Sequence, residues 1–220
     1  MSSDYVIGTN PLEGGTGGGF GNPVMNKQNN VVIMDWMTHM ILMGKGFQVR
    51  AGTITTPLVG DVVLTDTAAE FCVDAATGYM VIPMSMFLSV RLGTGTLHEY
   101  AVKSVDAVSS AGTAFVPLPL RNRGAAGGTA AAAATTARVG AAGGVTVAAE
   151  LATTTRRHWS WANPVAAGAG NDLILPVWEP LRPPAIVGAG CLYVQVAATG
   201  TGPSYYGSLD YIENVTSALV

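Results

Sequence analysis

The side chains able to do chemistry are few and scattered. His39, His98 and His158 are the only histidines, and none stands in the HxH or HExxH spacing that would bring two imidazoles to one metal. His98 and Glu99 are the nearest acid pairing, but adjacent residues of a strand point to opposite faces, so they do not form a relay. No GxSxG elbow presents a nucleophilic serine, and no CxxC offers a redox pair or half a zinc site. The run GGTGGGFG at 14–21 has spacings like those of a dinucleotide loop, yet no strand leads into it and no lysine completes a phosphate cradle. Asp172, Glu179, Asp210 and Glu213 could meet as paired carboxylates, a coincidence that any chain of this length allows. Cys72 and Cys191 both lie in apolar, strand-like runs. Buried free thiols are the first reading and one inter-strand disulfide the second. The expectation is a non-enzymatic protein with no catalytic residue, no metal site and no cofactor.

The densest polar and aromatic cluster is Arg156-Arg157-His158-Trp159-Ser160-Trp161. Tryptophan and arginine concentrate at interface centres, so one reading is a contact patch for sugar, nucleic acid or protein. The other is a strand with alternating aromatics in the core and arginines at its rim. Arg156, Arg157, Trp159 and Trp161 are therefore candidate interface residues. Trp36, on an apolar helical stripe, and Tyr5 and Phe20, anchors along a glycine-rich start, complete the set.

These residues must be held by strands. Within Tyr79–Leu92 the even positions Met80, Ile82, Met84, Met86, Leu88, Val90 and Leu92 are all apolar, which predicts a long strand with one face in a core. Pro83 removes one ladder donor and implies an edge, a bulge or a bend. Phe47, Val49 and Ala51 alternate with Gln48 and Arg50, and shorter candidates are Val62–Leu64, Ala69–Val73, Glu99–Val105 and Thr113–Leu120. Ala185–Ala197 is almost continuously apolar or small, as in a strand covered on both faces. In SYYGSLDYIENV, Tyr205, Leu209 and Tyr211 share a face, opposite Ser208 and Asp210. Ile33, Trp36, Met37, Met40 and Ile41 mark one short helix within Asn29–Gly46, stopped by Gly44. Residues 1–30 form an extended, glycine-rich N-terminal arm. Residues 31–220 form one β-sandwich domain with a low-complexity Ala/Gly/Thr loop at about 124–144.

Only 11% of the 220 residues are charged, against roughly a quarter in ordinary soluble domains. That is too few to coat a monomer, so the surface is expected to be buried in a membrane or against other subunits. No run of about 18 to 20 apolar residues exists, and MSSDYVIGTNPLEGG lacks the basic end and apolar middle of a signal peptide. A membrane span is not expected, and association with copies of itself is. Three lysines and eight arginines within a net charge of −3 give no electrostatic footprint for direct nucleic-acid binding.

Short strands, Gly/Pro turns, a glycine-rich arm and an Ala/Gly/Thr-rich, charge-poor surface together resemble the single jelly-roll capsid and capsid-decorating proteins of viruses, including bacteriophages. The resemblance covers about residues 45–215 and rests on pattern. It implies an all-β, jelly-roll-type antiparallel sandwich, made in the host cytoplasm and residing in the virion capsid. It also implies a trimer or pentamer whose partners are its own copies and other virion proteins. Coat proteins of this type often carry a basic genome-binding arm, whereas this arm has only Lys27 against Asp4 and Glu13. A shell or lattice-reinforcing role is therefore expected rather than genome packaging. The alternative is a carbohydrate- or receptor-binding β module of a viral fibre or tail, favoured if Trp159, Trp161, Tyr205 and Tyr206 line an exposed groove.

Overall fold

A computed structural model of the chain describes residues 36–92, 97–121, 134–164 and 177–219. The helix α1 (Trp36–Leu42) leads into β1 (Gly46–Ala51), β2 (Leu58–Val59), β3 (Ala68–Ala69), β4 (Phe71–Ala75), β5 (Tyr79–Leu92) and β6 (Leu97–Val105). Then come β7 (Ser110–Ala111), β8 (Thr113–Phe115), β9 (Leu118–Pro119), β10 (Thr136–Val139), β11 (Val145–Thr146) and β12 (Thr155–Pro164). The last third holds β13 (Val177–Trp178), β14 (Ile186–Val187), β15 (Gly190–Ala198) and β16 (Ser204–Val215). The proposed N-terminal arm lies outside the described residues, as does the start of the expected helix. The helix stops where the sequence places its brake: Gly44 takes a φ of +78°, and the Gly44 and Lys45 N–H groups donate back to the Ile41 and Met40 carbonyls.

Two antiparallel sheets face each other. The first runs β13-β5-β16-β1-β9, with β14 also on β5 and β2 on β16, and the second runs β12-β6-β15-β4-β10-β8. Let β13 and β14 count as one edge among the eight principal elements. The first sheet then joins the sixth, third, eighth and first in chain order, and the second joins the fifth, fourth, seventh and second. Every principal strand of one sheet thus has chain neighbours in the other, and no sheet can form without the ends of the chain meeting its middle. The core between them takes Phe47, Val49, Met86, Leu88, Tyr205, Leu209 and Tyr211 from the first sheet and Phe71, Val73, Tyr100, Val102, Leu192 and Val194 from the second. The chain is an all-β sandwich with one α-helix among the described residues.

The central strand corrects one expectation. It does not keep its even face inward throughout. Val81 near its start and Met86 and Leu88 further on belong to the main core, Pro83 is buried, Met80 is buried outside that core, and Ile82 and Met84 are only partly covered. The cause is a register skip. Ser85 pairs with Asp210 and Pro83 with Tyr211, which leaves Met84 without a partner on β16. Proline cannot donate to a ladder, and one extra residue beside it reverses which parity points inward. Alternation across the whole run came from apolar residues on both faces, with Met84 on the outer one beside Trp36 and Met37 of α1.

Further segments differ from expectation. The run Ala185–Ala197 is divided between Ile186–Val187 (β14) in the first sheet and β15 in the second, and Thr113–Leu120 is divided between β8 in the second sheet and β9 in the first. Val62–Leu64 is irregular, and the second sheet instead continues through β4. Within the supposed loop at 124–144, Thr136–Val139 is a strand pairing with β4 and β8. Ala137 is fully buried there, small enough to sit against the core, and the surrounding alanine-rich composition masked that short alternation. β15 is buried along its whole length, as its sequence predicts. Its outer face is covered by a small sheet, β3-β11-β7, which encloses a second apolar cluster including Ala69, Val105, Val145, Val147 and Tyr193.

Glu70, between β3 and β4, is buried in this architecture. Its Oε1 accepts the Asp61 N–H at 3.1 Å and its Oε2 the Val196 N–H at 2.7 Å. Burial nevertheless outweighs these bonds and pushes its pKa up to about 8. A carboxyl raised in the fold binds its proton more tightly there than in the unfolded chain. Its stabilising effect is complete below pH 4.5 and is lost as pH rises to about 8. Melting temperature should therefore fall across that window. Glu70→Gln, which costs one backbone bond at every pH because an amide nitrogen cannot accept, should flatten the slope. An unchanged slope in the variant would assign it elsewhere. The bulge gives a second test by urea unfolding: Leu88→Ala should cost about 2 to 5 kcal/mol and Ile82→Ala about half as much or less. Equal costs would contradict the switch of faces at Met84.

Candidate interaction surface

Among the described residues, the strand carrying the Arg/Trp cluster, β12, pairs only with β6 and ends the second sheet. Its ladder shifts register between Arg157 and Trp159, so His158 is the bulged residue. Past the bulge Trp159 and Trp161 sit opposite Val102 and Tyr100 and pack against the main core, Trp161 stacking on Tyr100 at 5.2 Å between ring centres. They are half-buried core residues at the rim of the sandwich and do not form an exposed patch. His158 meets Ser104 Oγ at 2.8 Å and stacks on Trp178, and burial together with the nearby Arg156 charge holds its pKa below the usual histidine value.

Arg156 and Arg157 are exposed, but each has an acidic partner. Arg156 donates to Asp106 at 2.8 Å and Arg157 to Glu150 at 3.2 Å. Glu150 also accepts from Lys103, whose side chain is buried. That hydrogen bond is the main reason the Glu150 carboxyl titrates below its ordinary range. A lysine buried without this carboxylate would be an uncompensated charge. The cluster is thus chiefly a structural edge that satisfies its own charges, the second of the two readings open to its sequence.

The suspected carboxylate pairing is not formed among the described residues. Glu213 accepts the Ala134 and Thr135 N–H groups at 3.0 and 2.8 Å, while Asp210 is bound by Gln48 and Ser85. Asp172 lies outside the described residues, as do Tyr5 and Phe20. His98 is fully buried with its Nδ1 3.0 Å from the Tyr100 hydroxyl, and burial lowers its pKa. Cys72 and Cys191 are both buried and both free.

A surface that sequence reasoning missed lies on the outer side of the first sheet. Trp36 and Met37 of α1, Pro83, Met84 and Ser85 at the β5 bulge, and Glu179, Pro180, Leu181 and Pro183 line a groove of about 580 Å³, apolar apart from Ser85 and Glu179. Leu181 is 97% exposed, an unusual state for a leucine held between prolines. Val177 and Val187, on the two short strands flanking this crossing, are about half exposed, as are Leu42 and Met43 at the end of α1. Of the candidate interface residues, Trp36 alone belongs to this groove. The signal was present in EPLRPP, where one leucine stands among prolines that fix an extended path and prevent ladder pairing. It reads as a connection because nothing local distinguishes a leucine that will be covered from one that will not.

No helix among the described residues is long and apolar enough to cross a membrane. Leu181 touches so little of its own fold that Leu181→Asp should leave the melting temperature unchanged within about 0.5 kcal/mol of stability. If copies meet through this groove, the same change should weaken their association at least tenfold in sedimentation equilibrium, and an association constant equal to wild type would remove the groove from any such contact. Comparison with protein-family models, with curated proteins and with solved structures finds no match.

Proposed function

We propose that this chain is a structural protein of a virion that assembles with copies of itself into a capsid shell, or reinforces one. The observation that carries the proposal is the largely apolar groove on the outer side of the first sheet and its surroundings, where Leu181, Val177, Val187 and Met43 stand open to solvent on a chain with only 11% charged residues. Exposed apolar area of this kind is ordinarily covered by a partner. Another copy of the chain is the natural occupant, because a charge-poor surface offers little electrostatic selectivity for a foreign one. The order in which the eight principal elements pair supports naming the sandwich a jelly roll, two interleaved Greek keys, an architecture used in viral shells and in lectins.

The edges and the groove would join copies into a ring of three or five, with residues 1–30 reaching onto neighbours and other virion proteins adding to the lattice. The net charge of −3 supports contacts with protein rather than with the genome. The carbohydrate- or receptor-binding alternative needs aromatics open to solvent. Trp161 lines a hollow of about 270 Å³ with Glu99, Arg157 and Ser160, but Trp159 packs on the core, Tyr206 is half-buried on the first sheet and Tyr205 is fully buried, so the four do not share one exposed groove.

Size-exclusion chromatography with light scattering, run across a hundredfold range of concentration, tests the proposal. Assemblies of at least three copies should appear and persist in about 1 M salt, since apolar contacts are not screened. Removing residues 1–30 should reduce assembly while leaving the β core folded. A strictly monomeric 22.5 kDa species under all conditions would overturn the proposal.

A further inference from the structure

On the outer face of the second sheet, Cys72 and Asp74 project from β4 beside Cys191 from β15. The ladder sets Cys72 opposite Tyr193 and Asp74 opposite Cys191, so the two cysteines are diagonal neighbours. All three residues are buried, and one ligand atom from each lies within 4.8 Å of the others. Ser109, which precedes β7 of the covering sheet, closes the group. Its Oγ is 3.1 Å from Cys72 Sγ and donates to Asp74 Oδ2 at 2.7 Å, and its N–H donates to Asp74 Oδ1 at 2.8 Å. With the serine proton on Asp74, the Cys72 thiol is the donor in the third contact. Arg138 of β10 brings its Nε to 3.6 Å from Asp74 Oδ2, and that nitrogen is buried with no hydrogen-bond acceptor in the structure.

We infer that Cys72, Cys191 and Asp74, with the Ser109 hydroxyl as the fourth donor, form a closed structural site for a divalent cation of the zinc class. Two thiolates and a carboxylate are donors that zinc takes at about 2.0 to 2.3 Å, which sets the two sulfurs about 3.8 Å apart in a tetrahedron. The spacing of the ligand atoms accommodates this. A disulfide fits the register less well, because diagonal neighbours on paired strands have Cα atoms about 7 to 8 Å apart, beyond the usual span of about 4.4 to 6.8 Å.

Charge gives an independent reason. Two thiolates, one carboxylate, one divalent ion and the Arg138 guanidinium together are neutral, whereas the thiolates alone could not be buried. Binding would release the two thiol protons, so uptake of the ion should be coupled to pH. Arg138 then acts as the outer partner that orients Asp74, as such partners do around metal ligands. The ion would fasten β4, β15 and the Ser109 end of the covering sheet at one point. This site is independent of the assembly surface, which lies on the other sheet.

Metal analysis of the full chain, purified without chelator or affinity histidines, tests the inference together with cobalt substitution. One zinc per chain is expected, with a sulfur-to-cobalt charge-transfer band and the visible bands of tetrahedral Co(II) on replacement. Cys72→Ser and Cys191→Ser should each lose the stoichiometric metal, and Asp74→Asn should weaken binding tenfold or more. Should these variants fail to fold, wild-type protein decides the matter: equimolar zinc should raise the melting temperature of reduced, metal-free protein and protect both thiols from alkylation. No cobalt charge-transfer band, or no zinc effect on melting or alkylation, overturns the inference. So does a Cys72–Cys191 disulfide detected by mass.

Discussion

The pairing of β5 with β16 is the constraint on which the rest of the molecule depends. It runs antiparallel from Tyr79 opposite Val215 to Leu92 opposite Ser204, joining a strand from the middle of the chain to one near its end. This ladder presents Met86, Leu88, Tyr205, Leu209 and Tyr211 to the core and supplies β16 with the face on which β1 adds in register. The second sheet then has a surface to close against. Contacts between residues so far apart in sequence carry a large loop-closure cost, which the apolar face must exceed before anything else is stable. The bulge at Met84 relieves the conflict between a proline inside a paired strand and a core that needs a continuous lining. It also turns Met84 outward, into the groove beside α1.

How the chain spends its polar groups follows from the same closure. Glu213 on β16 holds the Ala134 and Thr135 backbone, and Lys103 on β6 is neutralised by Glu150. Arg156 and Arg157 answer to Asp106 and Glu150. Charges are few and largely occupied by partners within the fold. The outer face of the first sheet carries Gln48, Arg50, Ser85 and Asp210 along β1, β5 and β16, and an apolar groove beside α1 whose most exposed residue is Leu181. The two sheets differ in this respect. The second has its own cover, β3-β11-β7, over Cys72, Cys191 and Tyr193, while the first has α1 and an open groove. The sandwich is therefore asymmetric, with a small sheet laid over one outer face and a helix beside an open groove on the other.

Much of the fold could be read from residue pattern, and its limits have physical causes. The alternation of Phe47, Val49 and Ala51 and of Tyr205, Leu209 and Tyr211 is visible because each strand has one polar face. The near-continuous apolar run of β15 is equally legible because both its faces are covered. The face switch in β5 was not, since apolar side chains on both sides of a bulge leave the same signature as a straight strand. Thr136–Val139 was hidden because alanine fits a tight core position and a loop equally well. Trp159 and Trp161 suggest an exposed patch from composition, and only their pairing with Val102 and Tyr100 turns them inward. The groove depends on Trp36, Met84 and Leu181 meeting from distant parts of the chain, and the thiol cluster on strands more than a hundred residues apart. Neither juxtaposition exists before the fold does.

The claim that the first sheet's outer face is where copies meet can be tested most directly by amide hydrogen exchange, comparing dilute with concentrated protein. Protection should rise with concentration in residues 36–43 and 177–187, and stay constant in β15, which is already enclosed within each chain. Protection that rises elsewhere while these two segments remain unchanged, or that does not depend on concentration at all, would contradict it.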